Sequence, residues 1–167
     1  MTPAQLLDDL LLANIRYAEH THEPMAPVIP ARKLAIVSCM DARLAPPEAL
    51  GLKAGDAHIL RNAGARVTDD VLRSLAVSCG LLGVRNILVL PHTDCGMYRT
   101  SAAIRESIHA ASGHDGPGEL FEIGDAIATL REDVARIQQA PFLPSDVTVW
   151  GGRLDVTTGK ISIEVPA

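Results

Sequence analysis

The chain's 167 residues suit one domain, long enough to remove well over half of the extended chain's surface on folding. Apolar residues make up 47% and charged residues 21%, which excludes wholesale disorder. With 15 basic and 20 acidic residues and a formal charge of -5, neither a nucleic acid nor an anionic membrane is an expected partner.

Thr2, Pro3 and Gln5 make a capped helix start, and Leu7, Leu10, Leu11, Ile15 and Ala18 recur at helical spacing. A helix over residues 3–19 is predicted, either lying on the surface or packing on a partner subunit. Asp8 and Asp9 interrupt its apolar stretch, and no Lys or Arg precedes Arg16. No secretory signal is therefore expected, and a cytoplasmic location follows. No apolar run reaches membrane-span length. The segment from Glu23 to Pro30 holds three prolines and reads as a linker.

Leu34–Ser38 is a short apolar run, the pattern of a buried parallel strand. A polar, proline-bearing stretch follows through Pro47. His58–Leu60 reads as a second strand, and Thr68 caps a helix running towards Leu82. Asn86–Leu90 is the next strand. Helices are predicted at Ser101–Ala111 and Glu119–Gln139, with a Gly/Pro-rich loop between them. Val147–Trp150 reads as a strand, Gly151–Gly152 as a turn, and Leu154–Val156 with Ile161–Val165 as a hairpin. The alternation predicts one α/β domain with a largely parallel central sheet flanked by helices.

Two clusters of chemically capable residues follow two of these strands. Cys39, Asp41 and Arg43 come after the first, and His92, Asp94 and Cys95 after the one ending at Leu90. Ligands of open α/β sheets gather at the carboxyl ends of strands, so both clusters share a crevice if the strands are neighbours. Two thiolates and an imidazole form a good zinc set, with Asp41 or a water left for the fourth position. Cys79 falls inside a predicted helix and reads as a small core residue.

Three cysteines cannot pair completely, which favours metal or thiol chemistry. Arg43 can pair with Asp41 through its rigid fork. Asp94 is expected to shape a turn, the alternative being a hydrogen-bond acceptor beside the site, and Gly96 either allows a close backbone approach there or simply starts a helix. Asn62, Ala63 and Gly64 can frame a pocket with backbone N–H groups. His58 reads as a strand-packing residue.

Ser38–Cys39–Met40–Asp41–Ala42–Arg43, Arg61–Asn62–Ala63–Gly64 and His92–Thr93–Asp94–Cys95–Gly96–Met97 together resemble the signature of the beta-class carbonic anhydrases. The resemblance is strong from Leu34 to Tyr98, weaker from Trp150 onwards, and closest to the small, prokaryotic-type branch. It implies a beta-carbonic-anhydrase-like fold and one Zn2+ per chain on Cys39, His92 and Cys95. Asp41 and Arg43 would be the catalytic dyad, with Asp41 a conditional fourth zinc ligand in a closed, inactive state. It also implies carbon dioxide and bicarbonate as small-molecule partners and a homodimer or dimer-based oligomer, with the N-terminal helix across the partner.

Pro91 stands where many relatives have His or another polar residue, and Ala65 where many have Gly. The implied reaction is the reversible hydration of carbon dioxide by zinc-bound hydroxide. Carbon disulfide hydrolases resemble the same family, so hydrolysis of carbon disulfide or carbonyl sulfide is the close alternative. A non-catalytic zinc-binding regulator is the alternative of another class.

Overall fold

Five strands form one sheet in a computed structural model that describes residues 1–167. They are β1 (Leu34–Cys39), β2 (Ala57–Asn62), β3 (Asn86–Leu90), β4 (Thr148–Leu154) and β5 (Ile161–Val165). Their spatial order is β2-β1-β3-β4-β5. The first four pair in parallel and β5 closes antiparallel on β4. β1 and β3 are adjacent, with Val37 opposite Val89 and Ser38 opposite Leu90. The two chemically capable clusters therefore leave neighbouring strand ends on the same side of the sheet, and the sheet is largely parallel as expected.

The helices are α1 (Pro3–His20), α2 (Pro46–Ala49), α3 (Asp69–Gly80), α4 (Ser101–Ser112) and α5 (Ala126–Gln138). α3 and α5 cover one sheet face, where Leu75, Leu130 and Ile137 pack on Ala35, Val37, Ile87 and Val89. Each such fully buried aliphatic side chain contributes about 1.5–3 kcal/mol. The opposite face buries Ile36, Leu90, Ile123 and Leu154 with the thiol-bearing Cys39 and Cys95. On that face Leu34, Ile59, Leu88 and Ile161 stay only partly covered.

α1 has the expected capping box, with Thr2 Oγ1 accepting from the Gln5 N–H and Gln5 Oε1 from the Thr2 N–H. None of its 18 residues is buried. No helix of the chain is long and apolar enough to cross a membrane.

Three expectations are corrected. The helix predicted from Glu119 begins only at Ala126, capped by Asp125 Oδ1, which accepts from the Ile127 and Ala128 N–H groups. Residues 119–125 cannot join it, because Phe121 is left-handed at φ 56° and Arg66 holds the Phe121 and Glu122 carbonyls. Gly151–Gly152 is not a turn but lies within β4. A Cβ on Gly151 would come within 2.9 Å of Leu130 Cγ, so glycine there admits α5 onto the strand. The proline-bearing stretch after Asp41 also holds one short helix, α2, opened by Pro46 and Pro47.

Candidate metal centre

Cys39 ends β1, and His92 and Cys95 lie in the loop that follows β3. One donor atom from each lies within 4.8 Å of the other two, and all three residues are buried. The sulfurs stand 3.9 Å apart, close to the separation of about 3.8 Å that two Zn–S bonds of about 2.3 Å impose at a tetrahedral ion.

His92 is fully buried. Its Nδ1–H donates to the Thr93 carbonyl at 2.8 Å. A carbonyl only accepts, so the proton sits on Nδ1 and the Nε2 lone pair is free. That Nε2 has no hydrogen-bond partner. A buried, unsatisfied ring nitrogen facing two thiols fits a metal ligand.

The thiols differ. The Cys39 thiol is pushed down, chiefly by a hydrogen bond from Cys95 and further by the backbone N–H groups of Asp41 and Gly64. The Cys95 thiol is pushed up, because Cys39 is already charged beside it and the site is desolvated.

Asp41 and Arg43 form the expected pair. Arg43 Nε donates to Asp41 Oδ1 at 3.0 Å and Nη2 to Oδ2 at 2.8 Å. The Arg43 fork and backbone N–H hold the Asp41 carboxyl well below the usual carboxylate range. Asp41 Oδ2 also lies 3.8 Å from His92 Nε2, so the carboxylate stands beside the donor set while engaged by Arg43.

Asp94 does more than shape a turn. Its backbone is left-handed at φ 54°, and its carboxylate accepts from Arg43 Nη1 at 2.8 Å. Arg61 opens the second of the three signature segments. Here its Nε donates to the Cys39 carbonyl at 2.9 Å and its Nη2 to the Asp41 carbonyl at 2.7 Å. It fixes the backbone that carries both residues.

Asn62 and Ala63 stand on the wall of a cleft of about 530 Å³ with Arg61, Val71 and Phe121. The Gly64 N–H is directed at Cys39 Sγ, 3.4 Å away. Gly96 opens a short turn, and a Cβ there would meet nothing within 4 Å. Cys79 is buried in the α3 side of the core, away from the metal donors. His58 packs on β2 with its Nδ1 2.6 Å from Ser78 Oγ.

Residues 34–140 match the family model described as carbonic anhydrase. Beta-carbonic anhydrase 1 of Mycobacterium tuberculosis is 42% identical over 160 residues, covering 95% of this chain and 98% of the relative. A carbon disulfide hydrolase of Acidithiobacillus thiooxidans is 30% identical over 151 residues, covering 78% of this chain and 76% of that protein. Among solved structures, the carbonic anhydrase of Streptococcus mutans superposes with a TM-score of 0.88 at 41% identity, covering 94% of this chain and 96% of that one.

Proposed function

The chain belongs to the beta-class carbonic anhydrase family, and from that membership we propose how its own residues bring about the reversible hydration of carbon dioxide to bicarbonate and a proton. The enzyme depends on one zinc ion per chain, for which Cys39, His92 and Cys95 form the site. When bound, zinc supplies the positive charge that lets water give up a proton near neutral pH.

Asp41 and Arg43 are the catalytic dyad. Arg43 keeps the Asp41 carboxylate ionised and fixes its plane. A carboxylate so held only accepts hydrogen bonds. Asp41 therefore takes the O–H of the attacking hydroxyl and leaves an oxygen lone pair turned to the carbon of carbon dioxide. In the reverse direction the same oxygen selects bicarbonate by its single O–H. Asn62, Ala63, Gly64 and Gly96 frame the substrate pocket. The Gly64 N–H directed at Cys39 Sγ sets this stretch against the donor set and supports that role.

Asp41 could hold zinc as a fourth ligand only on leaving Arg43, and that exchange would close the site. A regulatory metal site would instead have four protein donors on the ion. Three come together here, and Asp41 is engaged by Arg43.

The protein partner is a second copy of this chain, reached through α1. Leu7, Leu10, Leu11 and Ile15 are each more than half exposed. The sheet face bearing Leu34, Ile59 and Leu88 lacks the helical cover that α3 and α5 give the other face. A second copy's α1 matches that apolar gap. Three free, buried cysteines suit a reducing compartment, which supports a cytoplasmic location.

The observation that carries the functional reading is the buried sulfur, sulfur and nitrogen donor set beside the Asp41–Arg43 pair. Stopped-flow carbon dioxide hydration on protein loaded with one zinc per chain tests it. A zinc-dependent rate is expected. No hydration, with hydrogen sulfide released from carbon disulfide, would transfer the chain to the hydrolase reading.

A further inference from the structure

Cys39 Sγ accepts the backbone N–H of Gly64 at 3.4 Å. Gly64 is 25 residues away and must be brought to the sulfur by a separate piece of structure.

That piece is the turn over residues 62–67. Gly64 at φ 80° and Ala65 at φ 58° are both left-handed. Two consecutive residues in that region, one bearing a Cβ, need outside support to persist. Asn62 closes the head of the turn by donating from Nδ2 to the Arg66 carbonyl at 2.7 Å. Its Oδ1 is buried without a partner, so the amide sits in an environment that satisfies only the clamp.

Asp133, on α5, closes the foot. Its Oδ2 accepts from Arg66 Nε at 2.7 Å and its Oδ1 from the Val67 N–H at 3.0 Å. Arg66 and Asp133 are both largely buried, and Arg66 Nη1 also donates to the Phe121 and Glu122 carbonyls. Gly64 in turn rests on Met97, two residues past Cys95: a Cβ on Gly64 would lie 3.2 Å from Met97 Cβ. The turn thus touches both thiol-bearing loops.

We propose that Asn62 and Asp133 are positioning residues for the metal: they lock the turn so that the Gly64 N–H stays on the Cys39 thiolate and draws negative charge away from the ion. This rests on the zinc reading of Cys39, His92 and Cys95. A hydrogen bond to a thiolate lowers the energy of the sulfur lone pair and weakens its donation. Partners held one step behind a ligand commonly change metal affinity by about 10–100-fold when lost.

Cobalt(II) in place of zinc gives a readout independent of turnover, the sulfur-to-cobalt charge-transfer absorption of the full chain. Asn62→Ala is expected to move that band to lower energy, because a thiolate freed of the Gly64 N–H donates more strongly. Asp133→Asn keeps an acceptor for Val67 but loses the charge facing Arg66, and the same red shift is expected. If Asp133→Asn does not fold, Asn62→Ala decides alone. Ile137→Val, a core change on α5, is expected to lower stability without moving the band. An unshifted band in folded Asn62→Ala protein overturns the proposal and leaves the zinc site intact. If the unaltered chain takes up neither cobalt nor zinc, the zinc reading fails and the proposal with it.

Discussion

Arg43 and Asp94 are joined across 51 positions of chain, with Nη1 donating to Oδ2 at 2.8 Å and Nη2 to the Asp94 carbonyl at 2.9 Å. One guanidinium therefore ties the loop after β1 to the loop after β3 while it holds Asp41. Asp94→Ala should leave zinc content unchanged and lower kcat/KM about two- to fivefold, the scale of an exposed ion pair. Stopped-flow rates beside metal analysis check this. An unchanged rate would remove Asp94 from the support of the dyad.

Asp41→Asn should keep one zinc per chain and lower kcat/KM about a hundredfold, the lower range for a positioned proton-handling group. Loss of the metal along with activity would make Asp41 chiefly a structural residue of the site.

The pH dependence of the dyad has a definite sign. Arg43 depresses the Asp41 carboxyl in the folded chain, so the pair's contribution to stability is present above the unfolded value of about 3.9 and is lost as pH falls through the lower folded value. Carboxyl-carbon NMR should find Asp41 ionised throughout the mildly acidic range. In Arg43→Gln its midpoint should move up towards about 3.9. A midpoint unmoved by that substitution would show that Arg43 is not the cause.

Cys95→Ser should abolish stoichiometric zinc binding, because one of three donors is lost. For the unaltered chain, free zinc at about a hundredfold its Kd should raise unfolding free energy by about 2.7 kcal/mol. Denaturant titration with and without zinc measures it. Equal curves would mean that the ion does not distinguish the folded chain.

Leu7→Asp with Leu11→Asp should convert an oligomer into a monomer without unfolding it, since no residue of α1 is buried in its own chain. Sedimentation and circular dichroism check the two halves of that statement. An oligomer that survives both charges would place the interface elsewhere.

The parts of this molecule legible in the sequence are those set by local pattern. The apolar runs at Leu34–Ser38 and Asn86–Leu90 are buried strands, and the residues just past them gather at one place. Cys39, His92 and Cys95 could be picked out because sulfur and imidazole have few other reasons to follow such strands. Asp94 could not be assigned to Arg43, since that bond depends on β1 and β3 lying side by side. The late start of α5 was hidden because Arg66, more than fifty positions away, holds the Phe121 and Glu122 carbonyls. Gly151–Gly152 has the composition of a turn, but its glycines answer a packing need against Leu130. Asp133 carries no local signature, because its two partners lie 66 and 67 residues away.

The donors Cys39 and Cys95 sit 56 residues apart at the tips of adjacent parallel strands, with all of β2 and α3 between them in the chain. An ion gripped there is also a rivet. It closes a long loop that no disulfide closes, and closing long loops removes freedom from the unfolded chain. Hydrogen exchange in the unloaded protein should therefore begin at these strand tips and reach the strand middles last. Metal supply would then set how long a chain survives proteolysis as well as how fast it turns over.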